Sequence, residues 1–143
     1  TLIYIKYKKK ILKFQIVIDM VHINGKLFPA EYLSTPEDIS TGMMGREELD
    51  GCMVFKMGKG HHSFWMKKCL IPLDIIFVLN NRISHIHQNC QVEDSHRMNP
   101  PKYTGIGDHV IEFPAGTCNG WKTGDRVAMY LGSPQNPVTP RGV

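Results

Sequence analysis

The sequence predicts a mainly β protein, a single-domain β-sandwich or small barrel with one short helix. Strand-like segments recur at close intervals along the chain, and Gly, Pro and Asn separate them. One segment carries the residues that typically begin a helix. A length of 143 residues suits one domain with a sizeable core. We assign residues 1–131 to this domain and expect 132–143, rich in Pro and Gly, to form a flexible tail.

The first two predicted strands form a hairpin. Polar and apolar residues alternate over residues 12–22, a period that is typical of a half-buried strand. Asn24-Gly25 follows, a pair that is favoured in type I′ turns, and we predict a second strand over Lys26–Leu33. The predicted buried face of the first strand carries Leu12, Phe14, Ile16, Ile18 and Met20.

One helix and six further strands complete the prediction. Thr35 can cap a helix that starts at Pro36, and we expect this helix to run to about Met44 and to end at Gly45. The predicted strands are Cys52–Met57, Ser63–Cys69, Leu73–Leu79, Ile83–His87, His109–Phe113 and Arg126–Leu131. The expected turn and loops between them are Asn80-Asn81, Gly58–His62 and Gln88–Asp108.

The positive charge of the chain is concentrated near its start. The formal net charge is +4, and five lysines precede the first acidic residue. From residue 19 onwards, 12 Lys and Arg stand against 13 Asp and Glu, which gives a net charge of −1. A nucleic-acid-binding protein usually spreads basic residues over its binding face, so we expect no nucleic-acid partner. Residues 1–10 are expected to be a solvated strand end, and the five lysines are Lys6, Lys8, Lys9, Lys10 and Lys13.

The cysteines exclude some common small-domain motifs. They lack the CxxC spacing of zinc-finger and thioredoxin motifs, so we expect reduced, partly buried thiols and no cofactor. No apolar run reaches the roughly 18 residues of a membrane span, and no export signal is recognisable. We therefore expect a cytoplasmic protein, a monomer or a weak dimer. The four residues are Cys52, Cys69, Cys90 and Cys118.

Five sequence blocks occur in the order in which one known family carries them. They are Gly42–Arg46 (GMMGR), Gly51–Phe55 (GCMVF), Phe64–Phe77 (FWMKKCLIPLDIIF), Val110–Gly116 (VIEFPAG) and Gly124-Asp125. Over about residues 24–131 the chain resembles the domain of unknown function 192 family (DUF192), a group of small bacterial and archaeal proteins. The most distinctive part is Phe-Trp-Met-Lys followed by Pro-Leu-Asp.

The resemblance implies a compact β-sandwich or barrel of jelly-roll character, in agreement with the strand pattern. It implies no function, because the biochemical role of the family is unsettled. The chain departs from the family in two ways. Lys68-Cys69 stands where the family usually has Asn-Thr, and the export signal of many members is not visible here.

The first candidate site lies in the longest of these blocks. On a strand, Trp65 and Lys67 share one face, and Asp74 follows shortly after. These residues could form a pocket with an apolar floor and charged walls, in which Trp65 stacks on a sugar or an aromatic ring. In the alternative interpretation Trp65 belongs to the core, and Lys67 and Asp74 form a structural ion pair.

Glu112 is the second candidate, because it interrupts an otherwise apolar strand. A buried acid costs several kcal/mol unless it is paired, so we expect a partner such as Lys67, Arg46 or Arg126. Glu112 and Asp74 together could act as general acid and base if their pKa values differ. A structural ion pair is the alternative.

The histidines and methionines suggest a metal site. His85 and His87 are two residues apart on a predicted strand and point to the same face, which suits two zinc or copper ligands. A tight ligand cluster is absent from the sequence, so solvated histidines and core methionines remain the expectation, with no metal. Further ligands would come from His61, His62, His96 or Cys90, or for copper(I) from Met43, Met44, Met53, Met57 or Met66.

Together these observations favour a binding module for a small polar ligand, such as a sugar, or for a segment of a partner protein. The predicted ligand-binding residues are Arg46, Trp65, Lys67, Asp74 and Glu112. Two alternatives stay open. One is a hydrolase-like acid–base enzyme that uses Asp74 and Glu112, and the other is a metal carrier that uses His85 and His87.

Overall fold

The structure of the chain is a computed structural model that describes residues 2–7, 10–15, 18–94 and 96–131, with only the backbone described before residue 18. The elements in chain order are β1 (Leu2–Tyr7), β2 (Lys10–Gln15), β3 (Met20–Ile23), β4 (Lys26–Leu33), α1 (Pro36–Thr41), β5 (Cys52–Trp65), β6 (Leu73–Leu79), β7 (Arg82–Cys90), β8 (Lys102–Pro114) and β9 (Val127–Tyr130). Lys8, Lys9 and the predicted tail lie outside the described residues.

Seven strands form one sheet in the order β7-β6-β8-β5-β4-β3-β9, and β1 pairs separately with β2. All neighbours in the large sheet are antiparallel except β4 and β5. The two edge strands meet at one end, where Arg82 bridges to Arg126 and the Ile83 amide donates to the Asp125 carbonyl over 2.9 Å. The sheet is therefore curled into a half-barrel. This confirms the predicted mainly β class with one short helix.

The centre of the sheet is buried on both faces, as the apolar run over residues 75–79 of β6 indicates. One face carries the first core cluster, and the opposite face carries the second core cluster. The first comprises Val21, Ile23, Cys52, Val54, Ile76, Val78, Ile83, Ile111, Phe113, Cys118 and Val127. The second comprises Met43, Leu49, Met53, Phe55, Met66, Cys69, Leu73, Ile75, Phe77, Cys90 and Val110.

Several predicted elements are confirmed with their bounds. Strands β4 and β6 begin and end where the pattern places them. The Asn24-Gly25 turn has φ values of 50° and 81°, as a type I′ turn requires at its two central positions. Asn80 and Asn81, with φ values of 51° and 61°, form the other expected tight turn.

The prediction of a loop over Gly58–His62 was wrong, because the two strands predicted on either side of it form the single strand β5. His61 and His62 pair with Ile106 and Gly105 of β8, and a bulge between Lys56 and Gly60 absorbs the irregular register. β5 also ends at Trp65 rather than continuing to Cys69. The Cys69 amide closes a turn on the Met66 carbonyl over 3.1 Å, and Lys68 within this turn has a φ of 62°.

Other boundaries also differ from the prediction. The expected strand over residues 12–22 is interrupted at 18–19, and in the strand that begins at Met20 the buried residues are Val21 and Ile23, whereas Ile18 is exposed and Met20 is only partly buried. The helix ends at Thr41 because the chain turns at Gly42, where φ is 44°. β7 and β8 extend into the predicted loop between them, since they continue their pairing with β6 and β5.

The parallel pairing of β4 with β5 positions the candidate site. Parallel neighbours cannot be joined by a hairpin, so residues 34–51 cross over the sheet face that carries the second core cluster. Helix α1 begins this crossover, and the Thr35 hydroxyl caps it by accepting from the Asp38 amide over 3.2 Å. Met43 and Leu49 of the crossover pack into the second cluster.

Candidate functional site

A pocket of about 240 Å³ lies between this crossover and the sheet. Residues 39–44, from α1 and the turn after it, form one wall. Strand β5 supplies the opposite wall through Phe55, Met57 and residues 63–65. Lys67 and Cys69 come from the turn after β5, and Glu112 comes from β8. Apolar side chains with a few polar groups form the lining that is typical of small-ligand sites.

The turn after β5 is fastened to the crossover by backbone contacts. Met44 and Cys69 form an isolated antiparallel bridge, and the Gly45 amide donates to the Lys68 carbonyl over 2.9 Å. These contacts fix the segment that carries Met44 next to the turn that carries Lys67. The pocket is thus built on hydrogen-bonded backbone.

Glu112 is the buried polar group of this pocket. It pairs with Met53 of β5 and Ile75 of β6, and its side chain faces the second core cluster, with 3% of the residue exposed. Its Oε1 atom is buried and has no hydrogen-bond partner among the described residues. Burial raises the pKa of Glu112 to about 8, because an apolar environment disfavours the carboxylate. The cation that we expected beside Glu112 is not among its described contacts.

Trp65 and Lys67 stand together at the pocket. The Lys67 Nζ atom lies 5.2 Å from the centroid of the Trp65 ring, within the range of a cation–π interaction. Trp65 is 41% exposed and is not a core residue. Lys67 makes no ion pair with a described carboxylate, Asp74 included. Trp65 also borders a second hollow of about 220 Å³, which Lys102 lines from β8.

The charge of the pocket follows from its few ionisable side chains. Among the described residues that line it, these are Lys67, Cys69 and Glu112. Burial and the nearby Glu112 carboxylate raise the pKa of the Cys69 thiol to about 12. At neutral pH Cys69 and Glu112 are therefore uncharged, and Lys67 carries the formal charge of the lining.

Asp74 lies on the other face of the sheet. It pairs with Phe113 of the first core cluster, whereas its neighbour Ile75 pairs with Glu112. Its two carboxylate oxygens accept three backbone amides, from Asn89 at 2.8 Å, Gly116 at 3.0 Å and Cys118 at 2.8 Å. Asp74 thus fastens the end of β7 and the turn at residues 115–120 to β6.

Arg46 also lies apart from the pocket lining. Its guanidinium holds Glu31 of β4 in a two-pronged ion pair, with Nη2 to Oε2 at 2.6 Å. Both side chains are about 40% exposed, at 40% and 43%, so solvent screens this pair. Its effect is to tie the crossover to β4.

His85 and His87 share one sheet face, as the sequence predicts, but they pack against aromatic rings. Their ring centroids lie 6.1 and 5.8 Å from that of Phe77, and His87 lies 5.5 Å from Tyr103. The His87 Nε2 atom is 2.8 Å from the Thr104 carbonyl. No group of three or more His, Cys, Asp or Glu that could hold a metal exists within the described ranges.

The pocket includes residues that the sequence analysis did not select for a site. These are the hydroxyl residues Ser40, Thr41 and Ser63, whereas Met43, which also lines the pocket, was named only as a copper(I) ligand candidate. Their placement depends on how the crossover folds back over β5, which no local pattern encodes. The alternation along Ser63-Phe64-Trp65 is the one signal that could have added Ser63 next to Trp65.

In the part of the chain that the structure describes, no helix has the length and apolarity to cross a membrane. A search of curated proteins finds no match. Two solved structures share the fold. A protein of unknown function from Novosphingobium aromaticivorans DSM 12444 is 29% identical, with a TM-score of 0.68 over 88% of this chain and 92% of that one. A candidate transcription regulator from Sinorhizobium meliloti 1021 is 24% identical, with a TM-score of 0.68 over 81% of this chain and 98% of that one.

The family profile of DUF192, described as "Uncharacterized ACR", matches residues 18–129. This range contains every strand of the large sheet except the last residue of β9, together with the crossover and all residues that line the pocket. The resemblance that the sequence blocks indicate is thus confirmed. The chain belongs to the DUF192 family.

Proposed function

We propose that this protein binds a small polar ligand in the pocket between the crossover and β5, with Trp65, Lys67 and Glu112 as its contacts. The observation that carries the proposal is the buried Glu112 carboxyl at the pocket wall, whose Oε1 atom has no hydrogen-bond partner in the part of the chain that the structure describes. A buried polar atom without a hydrogen bond costs about 1–3 kcal/mol. A ligand that supplies this bond recovers that free energy on binding.

The polar groups of the pocket favour binding over acid–base catalysis. The second carboxylate that such an enzyme needs would be Asp74, which faces the opposite side of the sheet and already accepts three amides. Asp74 and Glu112 therefore cannot approach one substrate atom from the same side. The metal-carrier alternative is likewise weakened, because His85 and His87 pack in an aromatic cluster.

A fluorescence titration tests the proposal. Trp65 and Trp121 are the two tryptophans of the chain, so Trp121→Phe leaves Trp65 as the reporter beside the pocket. The panel contains mono- and disaccharides, amino acids, organic acids, amines, nucleotides and short peptides. We expect a saturable change in emission with at least one class. A thermal shift should accompany it, because a ligand at 100 times its Kd stabilises the folded state by about 2.7 kcal/mol.

Two variants connect the signal to the pocket. Trp65→Ala and Glu112→Ala should each weaken the binding that thermal shift detects, while Trp121→Phe should leave it unchanged. The proposal fails if no member of the panel binds. It also fails if a ligand binds with the same Kd after both Trp65 and Glu112 are truncated.

A further inference from the structure

We infer that the ligand of this pocket is a small organic anion, a carboxylate on an apolar body, held by the Lys67 ammonium and by a hydrogen bond from Glu112. This inference rests on the proposed function and names the class of ligand for the same pocket. Three observations support it: the charge of the lining, the surroundings of Glu112 and the polarity of the remaining walls.

Lys67 makes the pocket electropositive. Among the described residues that line the pocket, Lys67 is the one that carries a formal charge at neutral pH. It forms no ion pair with a described carboxylate. Its described contact is the face of Trp65, at 5.2 Å from the ring centroid. An ammonium on an aromatic face keeps hydrogen-bond donors available, and a carboxylate is their strongest common acceptor.

Glu112 is surrounded by groups that keep it protonated. Met53 of β5 and Ile75 of β6 pair with it, and in addition to burial, ionised Glu112 raises the pKa of two described thiols, Cys69 of the turn after β5 and Cys90 of β7. Lys67 is the described cation of the same pocket lining, and it forms no ion pair with Glu112. Burial raises the pKa of both thiols to about 12, so neither thiol carries a charge near neutral pH. The crossover contributes the uncharged Met43 to this environment. A protonated carboxyl donates a hydrogen bond, which an anionic oxygen accepts.

The remaining walls suit a carboxylate on an apolar body. Phe55, Phe64 and Met57 form an apolar surface, on which a ring or an alkyl chain can pack. The hydroxyl residues Ser40, Thr41 and Ser63 provide further donors on the same lining. A cationic ligand would be repelled by the Lys67 ammonium. It could form an ion pair with Glu112 only after this carboxyl had lost its proton.

Three probes that share one aromatic ring but carry different head groups distinguish an anionic ligand from a neutral or a cationic one. Benzoate is anionic, benzamide is neutral and benzylamine is cationic, and each is titrated into the full chain by calorimetry at pH 7. We expect benzoate to bind at least tenfold more tightly than the other two. Lys67→Gln should reduce benzoate affinity at least tenfold, and the matched control Lys102→Gln, on the neighbouring hollow, should leave it unchanged.

The pH dependence provides an independent measurement. Benzoate affinity should be nearly constant from about pH 5.5 to 7, where the probe is ionised and Glu112 is protonated, and should fall above pH 8 by up to tenfold per unit, because ionised Glu112 repels an anion. Glu112→Gln keeps a donor at this position but cannot ionise. It should therefore retain benzoate binding within about threefold and lose the decrease in affinity above pH 8.

The opposite results overturn the inference. Preferential binding of benzylamine, with affinity that rises between pH 6 and 8, would show that Glu112 binds a cation, and the proposed function would stand. Preference for benzamide would likewise leave the proposed function standing. If none of the three binds at about 10 mM, the inference fails, and the wider fluorescence panel decides the proposed function separately.

Discussion

Asp74 and Glu112 lie one residue out of step across β6 and β8, so their side chains leave the sheet on opposite faces. Asp74 pairs with Phe113, and Ile75 pairs with Glu112. Both carboxyls are buried, but their surroundings differ. Asp74 accepts three backbone amides, whereas Oε1 of Glu112 has no described partner. One carboxyl therefore organises the fold, and the other lines the pocket.

Replacing Asp74 should destabilise the fold. In Asp74→Ala the amides of Asn89, Gly116 and Cys118 lose their acceptor, and we expect the free energy of unfolding to fall by about 2–4 kcal/mol. Urea unfolding measures this loss. The control Asp50→Asn, at an exposed site, should change stability by less than about 0.5 kcal/mol. Equal effects of the two substitutions would contradict the assignment.

Glu112 should make stability depend on pH. Below pH 4.5 it is protonated in both the folded and the unfolded chain, and above pH 8 it is ionised in both. Between these values the unfolded chain releases the proton first, so the free energy of unfolding should fall by about 1.4 kcal/mol per pH unit. Urea unfolding from pH 5 to 8 measures the slope.

Glu112→Gln should remove this slope, and the exposed control Glu48→Gln should keep it. The buried thiols of Cys69 and Cys90 contribute little below about pH 7.5, because they are protonated in the folded chain and their pKa in the unfolded chain is about 9. An unchanged slope in Glu112→Gln would assign the pH dependence to another group.

The two tryptophans should differ in their effect on stability. Trp121 packs edge-on against Phe28 and Phe113, with ring centroids 5.9 and 5.2 Å apart, while Trp65 is 41% exposed. Trp121→Ala should cost about 2–4 kcal/mol and Trp65→Ala less than about 1 kcal/mol. Urea unfolding of both variants provides the comparison, and a larger loss for Trp65→Ala would place that ring in the core after all.

Alanine substitutions at Gly51, the last residue of the crossover, and at Gly25, in the turn between β3 and β4, can be compared to test how closely the crossover approaches β4. Both have positive φ, +78° and +81°, so Ala at either site should cost about 1 kcal/mol of backbone strain. At Gly51 a Cβ would also stand 2.0 Å from the Pro29 carbonyl oxygen, while at Gly25 nothing lies within 4 Å. Gly51→Ala should therefore lower the Tm clearly more than Gly25→Ala, and similar melting temperatures would contradict the close approach of Gly51 to β4.

The sequence predicts those elements whose signals are local. The turn at Asn24-Gly25 and the bounds of β4 and β6 follow from residue types and period alone. Strand β5 does not, because Gly58 and Gly60 favour a loop and only the partner β8 keeps them in the sheet. The continuation depends on pairing between segments about 45 residues apart in the sequence, which no local pattern contains.

The candidate site shows the same limit. The pattern identifies Glu112 as a buried acid and joins Trp65 to Lys67, and the three line one pocket. It also assigns Asp74 and Arg46 to that site, and neither lines the pocket. β6 is apolar on both faces, so its sequence carries no alternation to show which way Asp74 points. The partner of Arg46 depends on the path of the crossover, which is a tertiary feature.

The parallel pairing of β4 and β5 has a consequence for divergence among relatives. The wall that residues 39–44 provide belongs to a connection, and the strands keep their hydrogen bonds whatever side chains this connection carries. Substitutions at the exposed Ser40 and Thr41 can change the polarity of the cavity at little cost to the scaffold, whereas the buried Met43 belongs to the second core cluster. Under the proposed function, homologues with the same sheet can therefore differ in the ligand that they bind, and exchanging this segment between them tests this.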